Sequence, residues 1–166
     1  MIRFGVQADT TSDARAWLEL ARKVEALGFD ALYVADHPGV TASPFVALAS
    51  AAAVTSTLKL GTYVCNTGVR EPVELASDAA TVDVISNGRL ILGLGAGHTP
   101  AEWTINGSDY PSSRARVGRL AEMVDVVTWL LAGEVVVFDG EYVQTDSAYL
   151  HRLDESARIV FEARLR

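Results

Sequence analysis

The sequence predicts an α/β fold of parallel strand–helix units with a β-hairpin near the end. Three observations carry this. Short apolar runs alternate with longer segments whose apolar residues recur at helical spacing. The run Ala31–Ala35 is apolar throughout, as strands buried on both faces are. Asp139-Gly140 separates two short runs, the signature of a tight hairpin turn. Strands alternating with helices imply a parallel sheet with right-handed crossovers.

In chain order, Ile2–Ala8 reads as a first strand. Asp13–Leu27 reads as a helix, with Ala14, Trp17, Leu18, Ala21 and Val24 on one face. Ser12 is placed to cap its start and Gly28 its end. Ala31–Ala35 is the second strand, Pro44–Ala53 an alanine-rich helix, and Leu58–Val64 the third strand. Pro72 opens a helix, where its missing N–H costs nothing, and Asn87-Gly88 ends it after Ile85. Leu90–Leu94 is the fourth strand, and Thr99–Pro111 reads as an irregular connection. Ser112 or Ser113 caps a helix to Leu131, and Val135–Phe138 with Glu141–Gln144 forms the hairpin. Residues 1–150 are read as one domain and His151–Arg166 as a separate tail. Four arginines face three acids there, which makes it +1 in a chain of net charge −7. The tail has helical potential but no clear partner face.

The charge balance, with no basic cluster before the tail, argues against nucleic-acid and anionic-membrane partners. Phe45–Val54, the longest apolar stretch, is too short to span a bilayer. The N-terminal residues lack a signal peptide's apolar stretch, and the lone Cys65 excludes an internal disulfide framework. These features predict a cytoplasmic protein.

Ligands of parallel α/β folds bind beyond the carboxyl ends of the strands. Those ends deliver Gln7, Asp36-His37, Cys65-Asn66-Thr67 and Gly97-His98 to one rim. His37 is of the type that exchanges a proton near neutral pH, with Asp36 placed to support it or to bind a ligand N–H. An equally plain reading makes Asp-His-Pro a loop turn. Gly93-x-Gly95-x-Gly97 lacks the G-x-G-x-x-G spacing of a dinucleotide fingerprint. It suits close approach of a flat ring better than a phosphate cradle. Cys65 reads as a small buried thiol rather than a nucleophile. Trp17 and Trp129 read as packing residues, and Trp103 as the wall of a pocket. No metal-ligand spacing is read from the histidines at 37, 98 and 151.

Four segments stand together in one order: Gly28-Phe29-Asp30-Ala31-Leu32-Tyr33-Val34-Ala35-Asp36-His37, Leu60-Gly61-Thr62, Asn87-Gly88-Arg89-Leu90 and Leu92-Gly93-Leu94-Gly95-Ala96-Gly97. With them the chain resembles the luciferase-like monooxygenases, most closely the coenzyme F420-dependent oxidoreductases, over about residues 1–145. The resemblance implies a TIM barrel and a cofactor, F420 or alternatively FMN, at the carboxyl ends of the strands. It places Asp36 and His37 against the cofactor ring and substrate. It makes Tyr63 and Val64 a bulge supporting one ring face, often through a non-proline cis peptide. It also implies that Asn66, Ala96, Gly97 and His98 line the same cavity. The sugar-phosphate dehydrogenase branch carries an acidic glutamate where this chain has His98.

A complete barrel of eight units takes roughly 250 residues, so four units amount to half of one. The expected function is hydride transfer to or from a small organic substrate, with His37 and His98 as the catalytic pair. A reading of another class is a non-catalytic half-barrel that acts as a structural or partner subunit, or is a remnant. Open strand edges and an apolar inner face predict closure by a second copy or by a separately encoded C-terminal half, with the arginine-rich tail folding back as the poorer cover.

Overall fold

The computed structural model describes residues 2–9, 13–151 and 160–161. Its elements begin with β1 (Gly5–Gln7), α1 (Ala14–Ala26), β2 (Ala31–Val34) and α2 (Pro44–Ala52). β3 (Lys59–Thr62), β4 (Cys65–Asn66), a 3₁₀ turn (Thr67–Val69) and α3 (Pro72–Ser86) follow. Then come β5 (Leu90–Leu92), β6 (Leu94–Gly95), α4 (Pro100–Thr104) and α5 (Ser113–Leu131). The hairpin β7 (Val136–Asp139) and β8 (Gln144–Ala148) precedes β9 (Val160–Phe161). The main sheet is parallel, in the order β1-β2-β3-β5-β9.

Alternation along the strands splits the sheet into two faces. Leu32, Val34, Leu60, Leu90 and Leu92 are buried in one cluster with Trp17, Leu48 and Leu75 of the first three helices. α5 extends that cluster with Met123, Val126, Val127 and Leu130. The opposite face carries Gly5, Gln7, Tyr33, Lys59, Gly61 and Ile91. The Tyr33 ring lies over two glycines, since a Cβ would sit 2.6 Å from it at Gly5 and 2.7 Å at Gly61. This inner face is therefore mixed rather than the apolar surface expected.

Several boundaries differ from the sequence reading for identifiable reasons. Asp13 caps α1 by accepting from the N–H groups of Arg15 (2.9 Å) and Ala16 (3.4 Å). The expected cap, Ser12, lies outside the described residues. The first strand keeps only Gly5–Gln7. The third strand stops at Thr62 and resumes as β4 beyond a cis Tyr63–Val64 peptide. The fourth stops at Leu92 and resumes as β6, because Gly93 lies against Thr62, where a Cβ would meet its carbonyl oxygen at 2.4 Å. β4 and β6 then pair in parallel as a small second sheet.

Residues 99–111, read as irregular, contain the single-turn helix α4. In the hairpin, Glu122 of α5 accepts the N–H groups of Glu141, Tyr142 and Val143 at 2.8–3.0 Å. That capture removes these residues from the ladder, so the second strand is Gln144–Ala148 and not Glu141–Gln144. The tail gives a strand rather than a helix where it is described. β9 pairs with β5 through Ile91↔Val160 and Leu92↔Phe161, so this edge is not left open. The rest of the tail reading, residues 152–159 and 162–166, lies outside the described residues.

Candidate functional site

All four strand ends meet at one rim. A cavity of about 840 Å³ is lined there by Gln7, Asp36, His37, Asn66, Ala96, Gly97 and His98. Tyr63, Val64 and Leu94 give it an apolar wall, and Val117 and Leu120 of α5 face it. A hollow of about 370 Å³ continues down the inner face past Tyr33 to Gly5. The residues singled out in the sequence are thus brought together, but they do different work.

Asp36 is 3% exposed. Arg70 donates to it in a fork, Nε to Oδ2 at 2.7 Å and Nη2 to Oδ1 at 2.8 Å. The Asn66 backbone N–H (3.0 Å) and the Cys65 thiol (3.2 Å) also donate to Oδ2. Burial alone would raise this carboxyl, but the Arg70 hydrogen bonds and charge outweigh it and hold it below the usual range. Both oxygens are therefore engaged by protein, and Asp36 ties the end of β2 to β4. Burial, then the negative charge of Asp36, pushes the Cys65 thiol well up, so it is no nucleophile.

His37 is oriented from the other side. Its Nδ1 lies 2.6 Å from Oε1 of Glu102, on α4. Glu102 is 3% exposed, and its Oε2 accepts from Nδ2 of Asn66. Asn66 Oδ1 accepts from the Gly68 N–H at 2.9 Å, which fixes the direction of the amide. The side chain of His98, exposed on the rim, sets its ring edge-on to His37, with centroids 5.9 Å apart. Arg116 braces the loop beneath it, Nε donating to Gly97 O at 3.0 Å and Nη1 to Pro111 O at 2.6 Å.

The glycine run makes room for protein. At Gly95 a Cβ would lie 2.4 Å from the Val64 side chain. At Gly97, where φ is +71°, it would strike Trp103 at 2.2 Å and Asn66 Oδ1 at 2.3 Å. The glycines let the Tyr63–Val64 bulge and Trp103 close in. Trp103 is accordingly 3% exposed and packed beneath the loop, not the pocket wall expected. Trp17 and Trp129 are packing residues, as read.

Sequence reasoning missed Glu102, Arg70, Arg116 and the mixed inner face. Glu102 stands four residues after His98, a spacing that sequence inspection can register. Its partner in space, however, is His37, 65 residues away. Among the described residues no group of three or more His, Cys, Asp or Glu side chains is placed to hold a metal ion. Among the same residues no helix is long and apolar enough to cross a membrane.

Residues 1–160 match the luciferase-like monooxygenase family. The chain belongs to that family. An F420-dependent glucose-6-phosphate dehydrogenase of Nakamurella multipartita is 33% identical over 159 residues, covering 90% of this chain and 47% of the relative. A 4-hydroxyprotoasukamycin monooxygenase of Streptomyces nodosus subsp. asukaensis is 36% identical over 121 residues, 70% of this chain and 32% of the relative. The solved F420-dependent tetrahydromethanopterin reductase of Methanopyrus kandleri superposes with a TM-score of 0.83 at 27% identity. That match covers 98% of this chain and 50% of the reductase. The fold is thus that of the first part of a TIM barrel. The chain spans about half the length of the F420-dependent relatives it matches.

Proposed function

We propose that this chain forms the ring-binding and proton-handling part of an oxidoreductase that uses F420, or alternatively FMN, on a small organic substrate. The observation that carries this is His37, held by a buried carboxyl through Nδ1, at the rim of a cavity with an apolar wall. Exposed Tyr63 and Val64, with Leu94 and Ala96, fit one face of a flat heteroaromatic ring. The F420 dependence of the relatives and the position of the cavity support the same reading.

When bound, the cofactor supplies hydride transfer at its ring. The chain's own residues do the rest. Tyr63 and Val64 support the ring, and Gln7 and Ala96 border it. His37 exchanges a proton at Nε2 with the substrate oxygen, the proton balance that hydride transfer to or from a carbonyl requires. His98 stands beside it to contact substrate. Arg70 and Asp36 hold Asn66, and with it the floor. The same reading has the inner face closed by further β/α units, from a second copy or from a C-terminal half.

Titration of the purified chain with F420 and with FMN, followed by cofactor fluorescence, tests it. Saturable binding of one of them is expected. His37→Ala should then lower turnover about 10²- to 10⁴-fold with little change in cofactor Kd. If neither cofactor binds at micromolar concentration, the enzyme reading fails, and a non-catalytic partner subunit becomes the better account.

A further inference from the structure

We infer that Glu102 is the positioning residue that selects the reactive nitrogen of His37, and that Asn66 holds Glu102 by its other oxygen. The inference rests on the acid–base reading of His37 and names what makes it possible.

The hydrogen bonds run outward from a point where their direction is not free. The Gly68 N–H can only donate, so Asn66 Oδ1 is an acceptor and Asn66 Nδ2 must be a donor. Nδ2 is spent on Glu102 Oε2, which must accept. The other oxygen, Oε1, faces His37 Nδ1 at 2.6 Å, and a carboxylate there also accepts. His37 Nδ1 therefore carries a proton, and neutral His37 is the Nδ1–H tautomer. Its lone pair is on Nε2, the nitrogen left for the cavity that His37 lines. When Nε2 takes up a proton, the charge on the ring is balanced by the buried carboxylate beside it.

Other charged groups near this chain do not redirect it. Arg70 is committed to Asp36, and Arg116 to the Gly97 and Pro111 carbonyls, the Ser113 hydroxyl and the face of Tyr110. His98 meets His37 only ring edge to ring face. Asn66 also receives a second constraint, since its backbone N–H donates to Asp36. The ends of β2 and β4 and the helix α4 are thereby fixed relative to one another.

The test is Glu102→Gln, read by two-bond ¹H–¹⁵N spectra of the His37 ring in the full chain without cofactor. The Gln carbonyl must face Asn66 Nδ2, so its NH₂ faces His37 Nδ1. That arrangement demands a lone pair on Nδ1 and forces the Nε2–H tautomer. Wild-type His37 should be Nδ1–H, and the variant should switch to Nε2–H. A wild-type ring found as Nε2–H, or a tautomer unchanged in the variant, overturns the inference. The wild-type measurement stands even if the variant fails to fold. Cofactor binding is not needed for either readout, so failure of the cofactor titration and failure of this inference are separate results. Where turnover is measurable, Glu102→Gln should reduce kcat, with cofactor Kd unchanged.

Discussion

The two poles of the sheet use the same kinds of residue to different ends. At the amino pole, Arg89 is 8% exposed and donates to the carbonyls of Ala52, Thr55, Leu58 and Ser86 and to Thr55 Oγ1. Glu25 accepts the N–H groups of Ser56, Thr57 and Leu58. Both side chains consume backbone groups there. At the carboxyl pole, Arg70 and Asp36 are equally engaged, but the chain they anchor ends on His37 at a cavity. Polar burial at one pole closes loops, and at the other it aims a side chain. This matches the division of barrel folds into a stability face and a reaction face.

The sharpest way to break that division is to remove the two arginines in turn. Arg89→Met leaves several buried carbonyls without a donor, and Arg70→Met leaves a buried carboxylate without its cation. Each should cost about 3 kcal/mol or more in urea unfolding. Only Arg70→Met should also disturb the His37 ring spectrum. An equal disturbance from Arg89→Met would mean that the poles are not separable.

A smaller effect is expected from paired glycines. Gly88 at the amino pole and Gly97 at the carboxyl pole have φ of +75° and +71°. A Cβ at Gly88 meets nothing within 4 Å, so Gly88→Ala should cost only the left-handed backbone penalty, about 1–2 kcal/mol. Gly97→Ala adds the contacts with Trp103 and Asn66 and should be the more destabilising. Denaturation midpoints of the two variants decide this, and equal shifts would show that the loop yields without cost.

The smallest effect concerns acid. Burial acts to raise the Glu25 carboxyl, but the N–H groups it accepts hold it down, from 4.5 to about 2. A folded value below the unfolded one contributes stability that is complete above about pH 4.5 and is lost as pH falls toward 2. Glu25→Gln should therefore flatten the stability–pH curve between those limits and leave the neutral-pH cavity unchanged. A curve parallel to wild type would contradict this.

The sequence by itself determined the periodic parts of this protein. Alternating apolar runs place the parallel strands, and Pro72 and Asn87-Gly88 bound α3 because fixed φ and left-handed backbone are local properties. The polar residues that end the strands collect at one rim for the same reason, since parallel strands all point one way. Tertiary structure decided the rest. The hairpin register was set by Glu122 reaching across from α5, and the tail's strand by the edge of β5. The orientation of His37 came from a glutamate 65 residues away, seated on a helix too short to show a period. Spacing along the chain reports contacts only within a turn or a strand. Which carboxyl a histidine or arginine meets depends on how the packed ends of different strands bring their side chains together.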